Sequence, residues 1–185
     1  GNTSDRDLLI RIASILSLMP ITSFWLTSES RQRSISFLSR IIMGIRTDRH
    51  RARELATDTL YSLDFNSNLP PVGDWELFQG LPDEEISELT EETRIYAQFL
   101  INGTLDHLEE IDDLISGYSH KRSIDKIDTV DRNILRISFF QLLYDKETHP
   151  TIVIDEAVKL SQELSNDVSF KFINGILDTY SKALK

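Results

Sequence analysis

Asp128–Asp145 reads DTVDRNILRISFFQLLYD, and the architecture follows from it. Its apolar residues are Val130, Ile134, Leu135, Ile137, Phe139, Phe140, Leu142, Leu143 and Tyr144. At helical spacing they cover nearly every direction around the axis, the mark of a helix buried on most sides. A length of about 18 residues also suits a membrane span. Asp131, Arg132, Arg136 and Gln141 speak against one, because a charge at a bilayer centre costs several kcal/mol. The segment is therefore expected to be a central core helix against which others pack. Asp128 or Thr129 is its expected N-cap, Asp131 sits in the first turn where the macrodipole favours an acid, and Pro150 marks the stop.

Toward the C-terminus the chain holds two more amphipathic segments. Thr151–Leu164 places Ile154, Ala157, Val158 and Ser161 on one face. Ser165–Ser169 turns the chain, and Phe172, Ile173, Ile176, Leu177, Tyr180 and Leu184 stripe a last helix. Gly175 inside it costs about 1 kcal/mol against alanine, and a close helix contact would account for it. Upstream, Thr90–Ile115 reads as one long helix with Tyr96, Phe99, Leu100, Gly103, Leu108, Ile111 and Ile115 toward the core. Its acids, Glu91, Glu92, Asp106, Glu109, Glu110, Asp112 and Asp113, form a solvated face. Gly117 ends it beside the basic island His120, Lys121 and Arg122. Asn66–Pro82 is a loop broken by Pro70, Pro71, Gly73, Gly80 and Pro82, and Asp83–Leu89 is a short helix.

In Asp48–Asp64, Ala52, Leu55, Ala56, Thr59, Leu60 and Leu63 form the buried stripe, with Thr47 or Asp48 as cap. The opposite face carries His50, Glu54, Thr57 and Tyr61, and Arg49, Arg51 and Arg53 surround the first turn. Before it, Ser4–Met19 and Ser28–Ile45 also have helical stripes. Residues 20–46 are rich in Ser and Arg with Glu29 the one acid, a composition shared with transit peptides. Three readings stay open for residues 1–45: a helical arm on the body, an address segment, or an extension ahead of a start at Met43. No strand-period segment and no internal repeat occurs, so the fold class is all-α.

Composition narrows the function. The chain has 185 residues, 40% of them hydrophobic, enough for one compact domain or two small ones. It has no cysteine, which excludes disulfides and thiolate chemistry. His50, His107, His120 and His149 lack metal-ligand spacing, and no phosphate-binding glycine loop or nucleophile elbow is present. No enzyme, cofactor or metal is expected. The net charge of −10 is unevenly spread. Residues 1–55 hold nine Arg against five acids, and the remainder holds eleven Lys or Arg against 25 acids. That is a basic arm on an acidic body.

Three ordered segments carry a family resemblance. RHRARELATDTLYSLDF (Arg49–Phe65), VDRNILRISFFQLLY (Val130–Tyr144), and IDEAVKL with KFINGILD (Ile154–Leu160 and Lys171–Asp178) resemble the bacterial transcription antitermination NusB family over about residues 46–185. The resemblance implies two packed three-helix subdomains and no catalysis. It also implies a cytoplasmic protein that binds a small-subunit ribosomal protein, NusE, and with it the single-stranded boxA element of nascent ribosomal RNA, in support of the transcription elongation complex. Both a monomer and a homodimer are compatible with it. By motif position, RNA binding falls on Arg49, His50, Arg51, Arg53, Lys171 and Phe172, and partner binding on Tyr61, Asp131 and Glu156. Arginine pairs phosphate through a planar fork, and a cluster at a helix N-terminus adds backbone donors. The chain departs from the family pattern at His50, Gln141, Asp155 and the stretch His120–Arg122. Two other readings compete: a protein-binding adaptor without RNA, and, for a fragment, the RNA-binding domain of an RNA cytosine methyltransferase.

Overall fold

The computed structural model describes residues 28–65, 82–120 and 122–184. Seven α-helices and no strand occur among them: α1 (Ser28–Phe65), α2 (Asp83–Glu88), α3 (Glu91–Asp106), α4 (Leu108–Tyr118), α5 (Thr129–Tyr144), α6 (Pro150–Leu164) and α7 (Ser169–Ala183). A 3-10 turn, Ile124–Lys126, leads into α5. The chain divides into two compact units, Gly1–Ile45 and Arg46–Lys185. The expected helix Ser4–Met19 and the expected loop from Asn66 to Leu81 lie outside the described residues, as does Lys121. No described helix is long and apolar enough to cross a membrane.

The all-α class and the central helix are as the sequence pattern requires. In α5, every residue from Asn133 to Gln141 is buried, and the helix packs against α3, α4, α6 and α7. Asp128 is the N-cap, accepting from the Val130 N–H at 2.9 Å, and Asp131 is the first-turn acid. Phe139 sits mid-helix against Tyr180 (ring centroids 5.0 Å) and Tyr118 (6.5 Å), which ties α5 to α7 and α4. Each fully buried Leu, Ile or Phe contributes about 1.5–3 kcal/mol. The buried row Ile134, Leu135, Ile137 and Phe139 is therefore a principal source of cohesion in its unit.

Four expectations need correction. The two helices expected on either side of Thr47–Asp48 are one, α1, running unbroken from Ser28 to Phe65. Polar residues at 47 and 48 can cap a helix, but neither stops one, and no proline intervenes. The long helix expected from Thr90 breaks at His107 (φ −116°, ψ 21°) into α3 and α4. Its imidazole stacks on Tyr144 of α5 at 3.9 Å, and the bend lets Ile111 and Ile115 turn inward along with Leu100 and Ile101. Thr57 of α1 is buried, its hydroxyl donating to the Arg53 carbonyl, whereas Asp58 faces out. Gly175 meets no neighbour: a Cβ there finds nothing within 4 Å, so no close helix contact accounts for it.

Candidate nucleic-acid and partner interface

The basic run of α1 lies deep inside the helix, more than five turns from its start at Ser28. Its backbone N–H groups sit in the helical ladder, so the helix-terminus contribution to anion binding is absent. What remains is side chains. Arg49, His50 and Arg51 are partly exposed, and each is engaged twice. Arg49 lays its guanidinium on the Tyr96 ring, 4.0 Å from the centroid, with Glu92 3.6 Å from its Nε. That Nε is shielded from solvent and has no hydrogen-bond partner among the described residues. His50 meets Glu156 through Nδ1 at 2.7 Å and Glu163 through Nε2 at 3.0 Å. Arg51 donates to Glu54 at 2.6 Å and to Glu85 at 3.0 Å.

Burial pulls the His50 pKa down, but hydrogen bonds and charge from Glu156 and Glu163 outweigh it and leave the imidazole above its ordinary value. Burial likewise opposes ionisation of Glu156. Hydrogen bonds from Lys159 and His50, with the charge of Arg53, reverse that and hold its pKa low.

Arg53 is a different case. It is 3% exposed, donates from Nε to Gln141 at 2.8 Å and from a terminal nitrogen to the Tyr96 hydroxyl at 3.4 Å, and lies 3.6 Å from Glu156. Tyr96 in turn donates to Asp145 at 2.9 Å, and Thr148 donates to the same carboxylate at 2.7 Å. Arg53 thus joins α1 to α3, α5 and α6 from within and presents nothing to an RNA. Gln141, a departure from the family pattern, holds the middle of this network.

The residues assigned to a partner surface divide the same way. Asp131 is buried and accepts from Ser165 and Ser169, both at 2.7 Å, fixing the turn between α6 and α7 onto α5. Glu156 is buried under His50, Arg53 and Lys159. Neither is offered to a docking protein, because burial of a carboxylate is tolerated only with such partners. Tyr61 is half-buried and stacks on the exposed Phe65 one turn on, with ring centroids 5.9 Å apart. Sequence reasoning missed Phe65, since it closes the quoted motif and stands outside the apolar stripe read for that helix.

Lys171 and Phe172 stand at the start of α7, far from the α1 run in the chain. Lys171 is exposed, its ammonium 5.8 Å from the Phe170 ring centroid. Phe172 packs partly on the core and carries the Arg122 guanidinium at 5.1 Å. Neither of these two contacts reaches the Arg49–Arg51 run. Two aromatics assigned to the core, Phe99 and Tyr144, are instead substantially exposed. With Ile95, Tyr96 and Arg49 they line an open cleft of about 480 Å³.

A family model described as the NusB family matches residues 50–182. The chain belongs to the NusB family. Among its relatives, the transcription antitermination protein NusB of Thermodesulfovibrio yellowstonii is 34% identical over 142 residues, 72% of this chain and 91% of that one. The Salinispora tropica NusB is 37% identical over 129 residues, 70% of this chain and 91% of the relative. Among solved structures, T. maritima NusB matches with TM-score 0.61 at 34% identity, covering 72% of this chain and 90% of that one. A crystal structure of antitermination factors NusB and NusE in complex with dsRNA matches with TM-score 0.63 at 32% identity, covering 74% and 98%. The NusB match leaves residues 1–49 outside the family region. It spans the ion pairs that join α1 to α6, and it leaves out Arg49, whose pair is with Glu92 of α3.

Proposed function

We propose that this chain is a transcription antitermination factor that binds boxA-type single-stranded RNA of nascent rRNA transcripts together with a NusE-type ribosomal protein, in the cytoplasm, as part of the transcription elongation complex. One observation carries the RNA part: Arg49, His50 and Arg51 are three consecutive basic residues on α1 whose outer sides reach solvent. Lys171 and Phe172 add a cation and a ring at the start of α7. Arg53 acts from inside, holding the helix that carries the other three. The similar solved complex of NusB and NusE with dsRNA supports a NusE-type partner and RNA as the class of ligand; the boxA-type single strand is part of the proposal. For the protein partner, the stacked pair Tyr61 and Phe65 is the proposed anchor, since large stiff rings give contact area at low entropy cost. Asp131 and Glu156 serve it by holding the scaffold.

The test is fluorescence anisotropy with a short single-stranded RNA, with and without NusE, across a salt series. The partner is expected to tighten binding. Arg51→Ala is expected to weaken it with a shallower salt slope, since a phosphate that no longer meets a cation keeps its counterions. An unchanged slope would take Arg51 off the RNA surface. Tyr61→Asp is expected to weaken NusE binding, and full affinity in that variant would reduce the tyrosine to plain surface.

One observation favours the adaptor reading: every cation of the run already has a carboxylate of the same chain within 3.6 Å. That reading expects intact NusE binding and no RNA binding, in the parent protein and in Arg51→Ala alike.

A further inference from the structure

The ion pairs on α1 come in two tiers. Each exposed cation has an inner partner that fixes its position: the Tyr96 ring for Arg49, Glu156 for His50, and Glu54, one turn along, for Arg51. Each also has an outer partner from a different helix: Glu92 of α3, Glu163 of α6 and Glu85 of α2. The outer carboxylates are alike in one respect. Their side chains are 45%, 49% and 51% exposed, whereas the inner Glu156 and Glu54 are 12% and 27% exposed. The outer three therefore stand where an incoming anion would have to stand.

We infer that Glu85, Glu92 and Glu163 form a displaceable carboxylate guard over the α1 cations, and that these three acids set the affinity of the RNA edge. The inference rests on the RNA reading proposed above. Exposed ion pairs are worth only about 0–1 kcal/mol, so water and salt already compete with them. A phosphate offers Arg and imidazolium the same charge-assisted bonds in the same positions. The exchange is close to neutral for one phosphate and becomes favourable when one strand presents several in a row. The guard thus selects a polyanion over a lone anion. It also blunts the salt response. A phosphate contact on a single strand releases counterions with a slope of about 0.7 per phosphate, and each freed glutamate takes a cation back. The inner tier keeps the cations in place during the exchange, so no helix has to move.

The experiment compares the full chain with E85Q/E92Q/E163Q and with D106N/E109Q/D113N, which removes the same charge from exposed acids outside the basic edge and away from Lys171. Affinity for a short fluorescein-labelled single-stranded RNA is read by anisotropy over a salt series, and folding by circular dichroism. The guard variant is expected to bind about tenfold tighter, with a steeper salt slope, and the control variant to change by less than about threefold. The single variants E85Q, E92Q and E163Q, each expected to tighten binding, serve if the triple variant misfolds. Equal tightening in the control would assign the effect to bulk charge and overturn the inference. Unchanged or weaker binding in the guard variants, with the full chain still binding, would overturn it too and make these acids positioning groups. If no folded protein binds RNA while NusE still binds, the RNA reading itself fails and the guard falls with it.

Discussion

Gly103 of α3 lies directly under the ring of Phe140 of α5. A Cβ on residue 103 would fall against the Phe140 Cζ, far inside van der Waals contact. Phe140 is buried and held by Phe99 at 5.1 Å and Tyr144 at 5.7 Å, so the ring has no easy way out. Alanine at a mid-helix glycine normally gains about 1 kcal/mol. Here overpacking costs about 1–3 kcal/mol and wins. Gly103→Ala is expected to lower the melting temperature, and Gly103→Ala with Phe140→Leu to recover part of it.

Gly175 gives the opposite forecast. It lies in α7 with open space where its Cβ would be. Gly175→Ala is expected to stabilise the protein by about 1 kcal/mol, by reducing the freedom of the unfolded chain at no steric cost. Urea unfolding of the two glycine variants side by side checks the pair of signs.

Arg136 is the third prediction. It is buried on α5, with the Nε–Nη2 edge of its guanidinium donating to both oxygens of Asp112 of α4 (2.7 and 2.8 Å) and Nη1 donating to Asp64 of α1 at 2.8 Å. Asp64 also accepts from Arg132 and Asn133. Arg136→Met leaves two carboxylates short of their partner inside the fold, and breaking such a pair costs about 3–5 kcal/mol. Chemical denaturation is expected to show destabilisation of that size.

The same cluster contributes to stability in the acid range. Burial pushes the Asp64 carboxyl up, but hydrogen bonds from Arg132 and Asn133 and the charge of Arg136 leave it below its ordinary value. A depressed folded pKa contributes stability that is present above the unfolded value, about 3.9, and lost as pH falls through the folded one. Stability is therefore expected to rise with pH across the acid range until the unfolded value of about 3.9 is passed, and Asp64→Asn to flatten that rise.

His50 works in the other direction. Its raised pKa contributes stability that is complete below the unfolded value of about 6.5 and lost as pH climbs through the folded value. The groups facing it are Glu156 and Glu163 of α6, with Arg53 near the same Glu156 oxygen and Lys159 on the other oxygen. Thermal melts between about pH 6 and 8 are expected to show a decline in the parent protein that His50→Gln lacks.

The helices and their centre were legible in the order of residues alone. An apolar stripe at 3.6-residue spacing has one low-energy use, and a segment apolar all round, such as Ile134–Leu143, has to be surrounded by the others. Motif order was enough to mark the family. Charged residues were another matter. Arg51 and Arg53 are identical in type and two positions apart, yet one reaches solvent and the other is buried among Gln141, Tyr96 and Glu156. Asp131 and Glu163 are both helix acids, one inside the α6–α7 turn and one on the basic edge. Packing in three dimensions assigned these roles, because a charge takes its role from the group opposite it. That group is up to 113 residues away in the chain. The break at His107 and the unbroken run of α1 show the same limit of local reading: propensity permits either outcome at both places, and packing against α5 selects the break at His107.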